Sequence, residues 1–272
     1  MQKAVTMQTR SPKAEAKRRY RMVVSYDGTR FAGWQTQPHH LTIQGESERV
    51  LQELTGERER IQCCGRTDAG VHAREQVTHF DLMRPVILWK LLLGFNALLP
   101  EDIRVISIRR AKPDFHARYG AIGKEYRYFI WNDAIVPPYL RHFRTGVRHR
   151  LDIKAMNEAA GLLVGRNDFA AFAANPKREI DGTVRHLHEL KVLKRAREIV
   201  IIAKGDGFLY KMVRSLAGFL IRVGTGELPV PSAGEILRSR TRTARVPTAP
   251  ARGLFLWRVH YGRAANSAGR QP

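Results

Sequence analysis

Apolar positions along the chain recur with two periods, one helical and one alternating, and the switches between them outline a mixed fold. Residues 21–26 read as a strand leading into a glycine-containing turn. Over residues 43–54 the period is helical: Ile43, Val50, Leu51 and Leu54 share one face, with Glu46, Arg49 and Glu53 largely outside it. Thr42 is placed to cap this helix and Gly56 to stop it. Strands over 61–64 and 76–80 and a helix over 86–95 follow. Next comes a strand with Ile103, Val105 and Ser107 on one face and Arg104, Ile106 and Ile108 on the other. Apolar residues on both faces predict that this strand is more than half buried.

A second series begins with a strand over 124–131. Asp152 caps a helix bearing Met156, Ala159, Ala160, Leu163 and Val164. Strands over 184–194 and 198–204 form a hairpin or meander. A helix over 210–223 stacks Met212, Val213, Leu216, Phe219, Leu220 and Val223 on its inner side. Ser232 is expected to cap a last short helix, and 254–261 is the closing strand. The repeated mixture predicts an α+β protein of two similar halves, residues 21–111 and 112–261, packed as a pseudo-duplicate. Residues 1–20 and 262–272 read as a basic and a frayed disordered tail.

Composition narrows the partner. The chain has 272 residues, 43% of them hydrophobic, enough for a good core, and a formal net charge of +22. With a pI near 10.8, it calls for an anionic polymer. Nucleic acid fits better than a membrane surface: no basic amphipathic helix with a large apolar face is present, and the longest apolar stretch, 86–93, is broken by Lys90. The only cysteines, Cys63 and Cys64, are adjacent, which suits neither a mutual disulfide nor a zinc site and points to a reducing cytosol. The first twenty residues carry six Lys and Arg without an apolar segment, so they are no secretory signal. A transit peptide is disfavoured by Glu15.

One run concentrates the candidate chemistry: Gly65-Arg66-Thr67-Asp68-Ala69-Gly70-Val71-His72-Ala73. It puts a carboxylate in a glycine-flanked loop, bracketed by Arg66 and His72, inside a polycation. Simple nucleic-acid binding needs no aspartate there, so two readings stand: a reactive carboxylate facing a polyanion, or an Asx-turn that only caps backbone N–H groups.

The run matches, residue for residue, the signature loop of the tRNA pseudouridine synthases of the TruA family, and the resemblance extends over residues 20–261. Tyr26-Asp27-Gly28-Thr29-Arg30-Phe31-Ala32-Gly33-Trp34-Gln35 resembles the family's first hairpin. Asp114-Phe115-His116-Ala117-Arg118, Tyr126-Arg127-Tyr128 and Met212-Val213-Arg214 follow in the family's order, and Pro247-Thr248-Ala249-Pro250-Ala251-Arg252-Gly253-Leu254 resembles its closing segment. The resemblance implies two antiparallel sheets side by side around a basic cleft. It implies conversion of uridine to pseudouridine at tRNA positions 38, 39 and 40 of the anticodon stem-loop, by a cytoplasmic homodimer.

That reaction breaks the N1–C1′ bond, turns the base and joins C5 to C1′. It involves neither redox change nor net hydrolysis, so no cofactor and no metal are expected. It needs a carboxylate that adds to C6 or traps C1′. The family's nucleophile falls on Asp68, and its partner cation on Arg214, which keeps a shielded carboxylate ionised. Its active-site tyrosine, which stacks on the target base and helps remove the C5 proton, falls on Tyr126; alternation alone does not separate Tyr126 from Tyr128, which is read as core. Arg66 matches the cation that fills the space left by a flipped base and holds phosphate. His72 is expected to order the loop by donating to a backbone carbonyl.

Other features have plainer readings. His186 and His188 share a strand face without metal partners. Gly224-Thr225-Gly226 is a helix C-cap, not a phosphate loop. Arg238, Arg240, Arg242 and Arg245 form either a solvated face or an RNA contact, as do Lys177 and Arg178. Two competing functions remain: a non-catalytic tRNA- or rRNA-binding protein on the same fold, which would be expected to lack Asp68, Arg214 or Tyr126, and a metal-dependent nuclease, which lacks its carboxylate cluster. Ser215 stands where the family has an asparagine, a change expected to loosen a polar contact near Arg214.

Overall fold

The computed structural model describes residues 17–175 and 182–262. The elements run β1 (Arg18–Tyr26), α1 (Ile43–Thr55), β2 (Gln62–Cys63), β3 (His72–Leu82), α2 (Leu88–Leu98), β4 (Ile103–Arg110), β5 (Ala121–Trp131), β6 (Thr145–Gly146), α3 (Ile153–Gly161), β7 (Gly165–Asp168), β8 (Val184–Arg195), β9 (Glu198–Gly205), α4 (Met212–Gly224), α5 (Ser232–Ser239) and β10 (Leu254–Tyr261). The strands form one mixed sheet in the order β4-β1-β3-β10-β5-β9-β8-β7, with β2 beside β3 and β6 beside β5. Pairing is antiparallel except for β5–β6 and the central β3–β10 pair. That pair is short, His72 opposite Phe255 and Ala73 opposite Leu256, and it joins the early strands to the late ones. The α+β expectation holds.

Local chemistry accounts for the predicted elements. The Thr42 hydroxyl accepts from the Gly45 N–H at 3.2 Å, and Gly56 ends α1 at a φ of 72°. The Asp152 carboxylate accepts from the Lys154 and Ala155 N–H groups at 2.9 and 3.0 Å. After α4, Gly226 takes a φ of 81°, as a C-cap requires.

Several expectations are corrected. β1 begins at Arg18, inside the expected tail, because Arg19 pairs with Asp81 at 2.8 Å and buried Tyr20 stacks on Phe80 at 5.5 Å. The rest of that tail, residues 1–16, lies outside the described residues, as do 263–272 and the Lys177-Arg178 pair. Ser232 does not cap α5: Pro231 holds the cap position, and the Ser232 hydroxyl is buried without a partner. β4 is an edge strand whose pairing with β1 shifts between Val23 and Val24. The shift reverses the alternation, so Ile103, Val105 and Ile108 are buried while Ile106 is 56% exposed. Two-faced apolar patterning there records a bulge, not two-sided burial.

Candidate active site

Asp68 sits in the loop between β2 and β3, and residues 27–42, which join β1 to α1 as a loop rather than the expected hairpin, hold it. The Trp34 N–H donates to the Thr67 carbonyl at 3.0 Å, and the Gly70 N–H to the Phe31 carbonyl at 3.3 Å. The Thr67 hydroxyl bonds the buried Tyr26 hydroxyl at 2.8 Å. Gly33 has a φ of 98°, and a Cβ there would lie 2.6 Å from the Thr67 oxygen, so only glycine lets the β1–α1 loop approach this closely. Gly70 is also left-handed, at 74°, and the Val71 N–H closes the turn onto the Asp68 carbonyl at 3.1 Å. Gly65 is not left-handed; its neighbour is the Lys124 ammonium, 3.2 Å from where a Cβ would sit.

His72 is fully buried below this loop. Its Nδ1 accepts from the Gly28 N–H at 3.0 Å, and its Nε2 faces the His142 and Arg252 carbonyls at 3.0 and 3.2 Å. It ties the β1–α1 loop, the loop before β6 and the segment before β10 together, as an ordering residue should.

The Asp68 carboxylate meets Arg214, 146 residues away: Nη1 donates to Oδ2 at 3.0 Å. Arg214 lies in the first turn of α4, amid buried Met212, Val213 and Leu216. Its Nε donates to the Ala249 carbonyl at 2.8 Å, and its own carbonyl accepts from the Ala249 N–H at 3.0 Å. The closing segment thus holds the arginine in place. It approaches closely because a Cβ at Gly218 would fall 2.2 Å from the Pro247 oxygen. Only 14% and 23% of the two side chains are exposed, so the pair is partly desolvated and therefore less screened than a surface pair. Ser215 retains a polar contact beside it, accepting from Arg242 Nη1 at 2.8 Å.

A cleft of about 820 Å³ opens over Asp68. Arg60, Arg66, Arg118, Lys124 and Lys211 line it, and Asp68 is its one carboxylate among the described residues. None of those five cations forms an ion pair among the described residues. Tyr126 lines the same cleft, with its ring edge-on to Phe208 at 5.1 Å. Burial, then the neighbouring Cys64, Tyr26 and Asp68, pushes its phenol far above the ordinary tyrosine range. Tyr128 is core: its hydroxyl bonds Thr145 at 2.7 Å and the Pro250 carbonyl at 3.0 Å. Cys63 and Cys64 form part of the wall, and burial raises the Cys63 thiol to about 12.

All four residues singled out in the sequence, Asp68, Arg214, Tyr126 and Arg66, gather at this cleft or directly behind it. The other cations had not been singled out. Lys124 was readable, since alternation puts it on the same face of β5 as Tyr126. Lys211 has a φ of 59°, an unusual conformation for a lysine, and no local sequence signal marks it.

Comparison with known proteins supplies relatives. A family model described as tRNA pseudouridine synthase matches residues 159–262. The tRNA pseudouridine synthase A of Shouchella clausii is 42% identical over 241 residues, 88% of this chain and 92% of that protein. That of Geobacillus kaustophilus is 42% identical over 248 residues, 89% and 94%. That of Brevibacillus brevis is 41% identical over 246 residues, covering 90% of this chain and 100% of the relative.

Proposed function

The chain belongs to the tRNA pseudouridine synthase A family, and on that premise we propose that Asp68 is the nucleophile with which it isomerises uridine to pseudouridine in tRNA. The observation that carries the proposal is the one carboxylate that the described residues place in a cationic cleft, bridged to Arg214 at 3.0 Å. Attack by this carboxylate at C6 of the base or at C1′ of the sugar turns one hard displacement into two easier ones. In either route the N1–C1′ bond breaks, C5 joins C1′, the C5 hydrogen leaves as a proton and N1 takes one up. The Arg214 guanidinium is the counter-charge that stays beside the carboxylate when the substrate covers it.

Tyr126 is the group on which the target base stacks. A phenol kept neutral by burial is a poor proton acceptor, which supports stacking over removal of the C5 proton. Arg66 is exposed, unpaired among the described residues and two positions from Asp68. It is the cation that occupies the space of the flipped nucleotide and holds its phosphate. Family membership extends the proposal to uridines 38, 39 and 40 of the anticodon stem-loop and to a cytoplasmic homodimer. No helix of the described residues is long and apolar enough to cross a membrane.

Release of tritium from C5-labelled uridine in tRNA tests the assignment. Wild type releases it and Asp68→Asn does not, while tRNA binding persists. Release by Asp68→Asn at the wild-type rate would remove the nucleophile from Asp68. Binding without release by wild type would leave the non-catalytic RNA-binding reading.

A further inference from the structure

The segment Asp114-Phe115-His116-Ala117-Arg118-Tyr119 takes no part in the chemistry above, yet His116, Arg118 and Tyr119 line the cleft with Asp68. Its backbone is pinned from below. Phe115 is buried against Tyr261 with ring centroids 5.4 Å apart, and the Tyr261 hydroxyl donates to the Ala117 carbonyl at 2.6 Å. His116 Nδ1 accepts from the N–H groups of Arg118 and Tyr119, both at 3.1 Å, leaving Nε2 to donate to Gln62 Oε1 at 3.2 Å. The Gly120 N–H closes the turn onto the His116 carbonyl at 2.9 Å.

On this fixed turn Tyr119 is 78% exposed, and its hydroxyl has no hydrogen bond among the described residues. The His116 ring lies 4.4 Å away, tilted by 31°, and the Arg118 guanidinium is 5.7 Å from the Tyr119 centroid. A lone exposed aromatic is ordinary. This one has a rigid backing, a cation beside it and a place on the wall of a cleft whose other cations form no ion pair among the described residues. Aromatic rings beside cationic grooves bind single-stranded nucleic acid by stacking, whatever the base. A volume of about 820 Å³ lies high in the range of small-ligand pockets, so there is room for more than one uracil.

We propose that Tyr119, backed by His116 and flanked by Arg118, is a stacking platform for an unpaired base neighbouring the target uridine. The proposal rests on reading this cleft as the tRNA site. Tyr119 is a positioning residue: it holds the strand so that the target reaches Asp68, and it does no chemistry itself.

The test measures affinity for unmodified tRNA in an Asp68→Asn background, where no turnover occurs, with Tyr119 changed to Phe or to Ala. Stacking predicts wild-type affinity for Tyr119→Phe and a loss of about tenfold or more for Tyr119→Ala. An RNA stem-loop carrying 2-aminopurine beside the target uridine adds a spectroscopic reading: its emission is quenched by the Tyr and Phe proteins and recovers with Ala. Tyr119→Ala binding as tightly as its parent, or Tyr119→Phe binding as weakly as Ala, overturns the platform. Tritium release by the protein with an intact Asp68 is measured alongside. If it is present while Tyr119→Ala binds normally, the platform fails and the catalytic reading stands; if it is absent, the catalytic reading fails.

Discussion

Two clusters of cations on opposite faces of β5 are held in different ways. On the face carrying Lys124 and Tyr126, five cations surround one carboxylate without forming ion pairs among the described residues. On the face carrying Arg127 and Phe129, a cluster of three arginines is held by the protein's own carboxylates and aromatic rings. Arg127 pairs with Glu125 at 2.7 Å, and Arg144 with Glu198 at 2.6 Å. Arg74 and Arg127 both lie over Trp257, at 4.6 and 4.2 Å, and Arg144 lies over Phe129 at 4.2 Å. Positive charge ties this layer together around Trp257 and Phe129 on one side and lines the cleft without ion pairs among the described residues on the other. Uncompensated like charge costs stability through self-repulsion, so its concentration in one cleft marks where a polyanion supplies the missing charge. A net charge of +22 says only that some such place exists.

Arg214 breaks this comparison most severely, because among the described residues it is the one cation at the cleft that already has a carboxylate. Arg214→Gln removes the charge bridged to Asp68 and the Nε bond to the Ala249 carbonyl, while the backbone bond from the Ala249 N–H to residue 214 remains. The turnover number should fall by about a hundredfold or more. Arg144→Gln, which breaks the Glu198 pair on the other face, should leave turnover within about threefold of wild type. Single-turnover tritium release with saturating enzyme separates the two. Equal losses in both variants would mean that Arg214 matters for the fold rather than for Asp68.

How far all this was readable from the sequence depends on the range of each interaction. α1 and α3 were legible to the cap because Thr42, Gly56 and Asp152 act within three or four residues. The bounds of β10 were legible from its alternation. The Asp68 loop was legible as a motif, but its pairing with Arg214 spans 146 residues and rested on family resemblance, not on spacing. Arg242 shows the limit. It was read as part of a solvated or RNA-facing run, but it reaches inward to the hydroxyls of Ser215 and Thr248, both at 2.8 Å, and burial lowers its pKa. The bulge in β4 was invisible for the same reason: it is set by pairing with β1, not by the strand's own residues.

Trp257 sharpens the comparison from the protein-facing side. Trp257→Ala removes the ring between Arg74 and Arg127 and a contact with Phe129 at 5.8 Å. The ring is half-buried, so the loss should be below that of a full core truncation, at about 2 kcal/mol in urea unfolding. The affinity of the folded protein for tRNA at fixed salt should be unchanged. A stable Trp257→Ala protein with weakened tRNA binding would mean that this arginine–tryptophan layer is itself a nucleic-acid surface.

The smallest effects belong to the cleft cations one at a time, and the salt dependence of binding reveals them better than affinity at one condition. Each phosphate contact releases condensed counterions, so removing one lowers the slope of log K against log salt by about 0.7–0.9. Lys211→Ala and Arg60→Ala should each show such a reduction in binding unmodified tRNA. Arg74→Ala, whose guanidinium is spent on Trp257, should leave the slope as it was. Equilibrium titrations from about 50 to 200 mM salt span enough range to resolve a change of one contact. If Arg74→Ala lowers the slope as much as Lys211→Ala does, the tRNA extends over both faces of β5 and unpaired charge no longer identifies the binding surface.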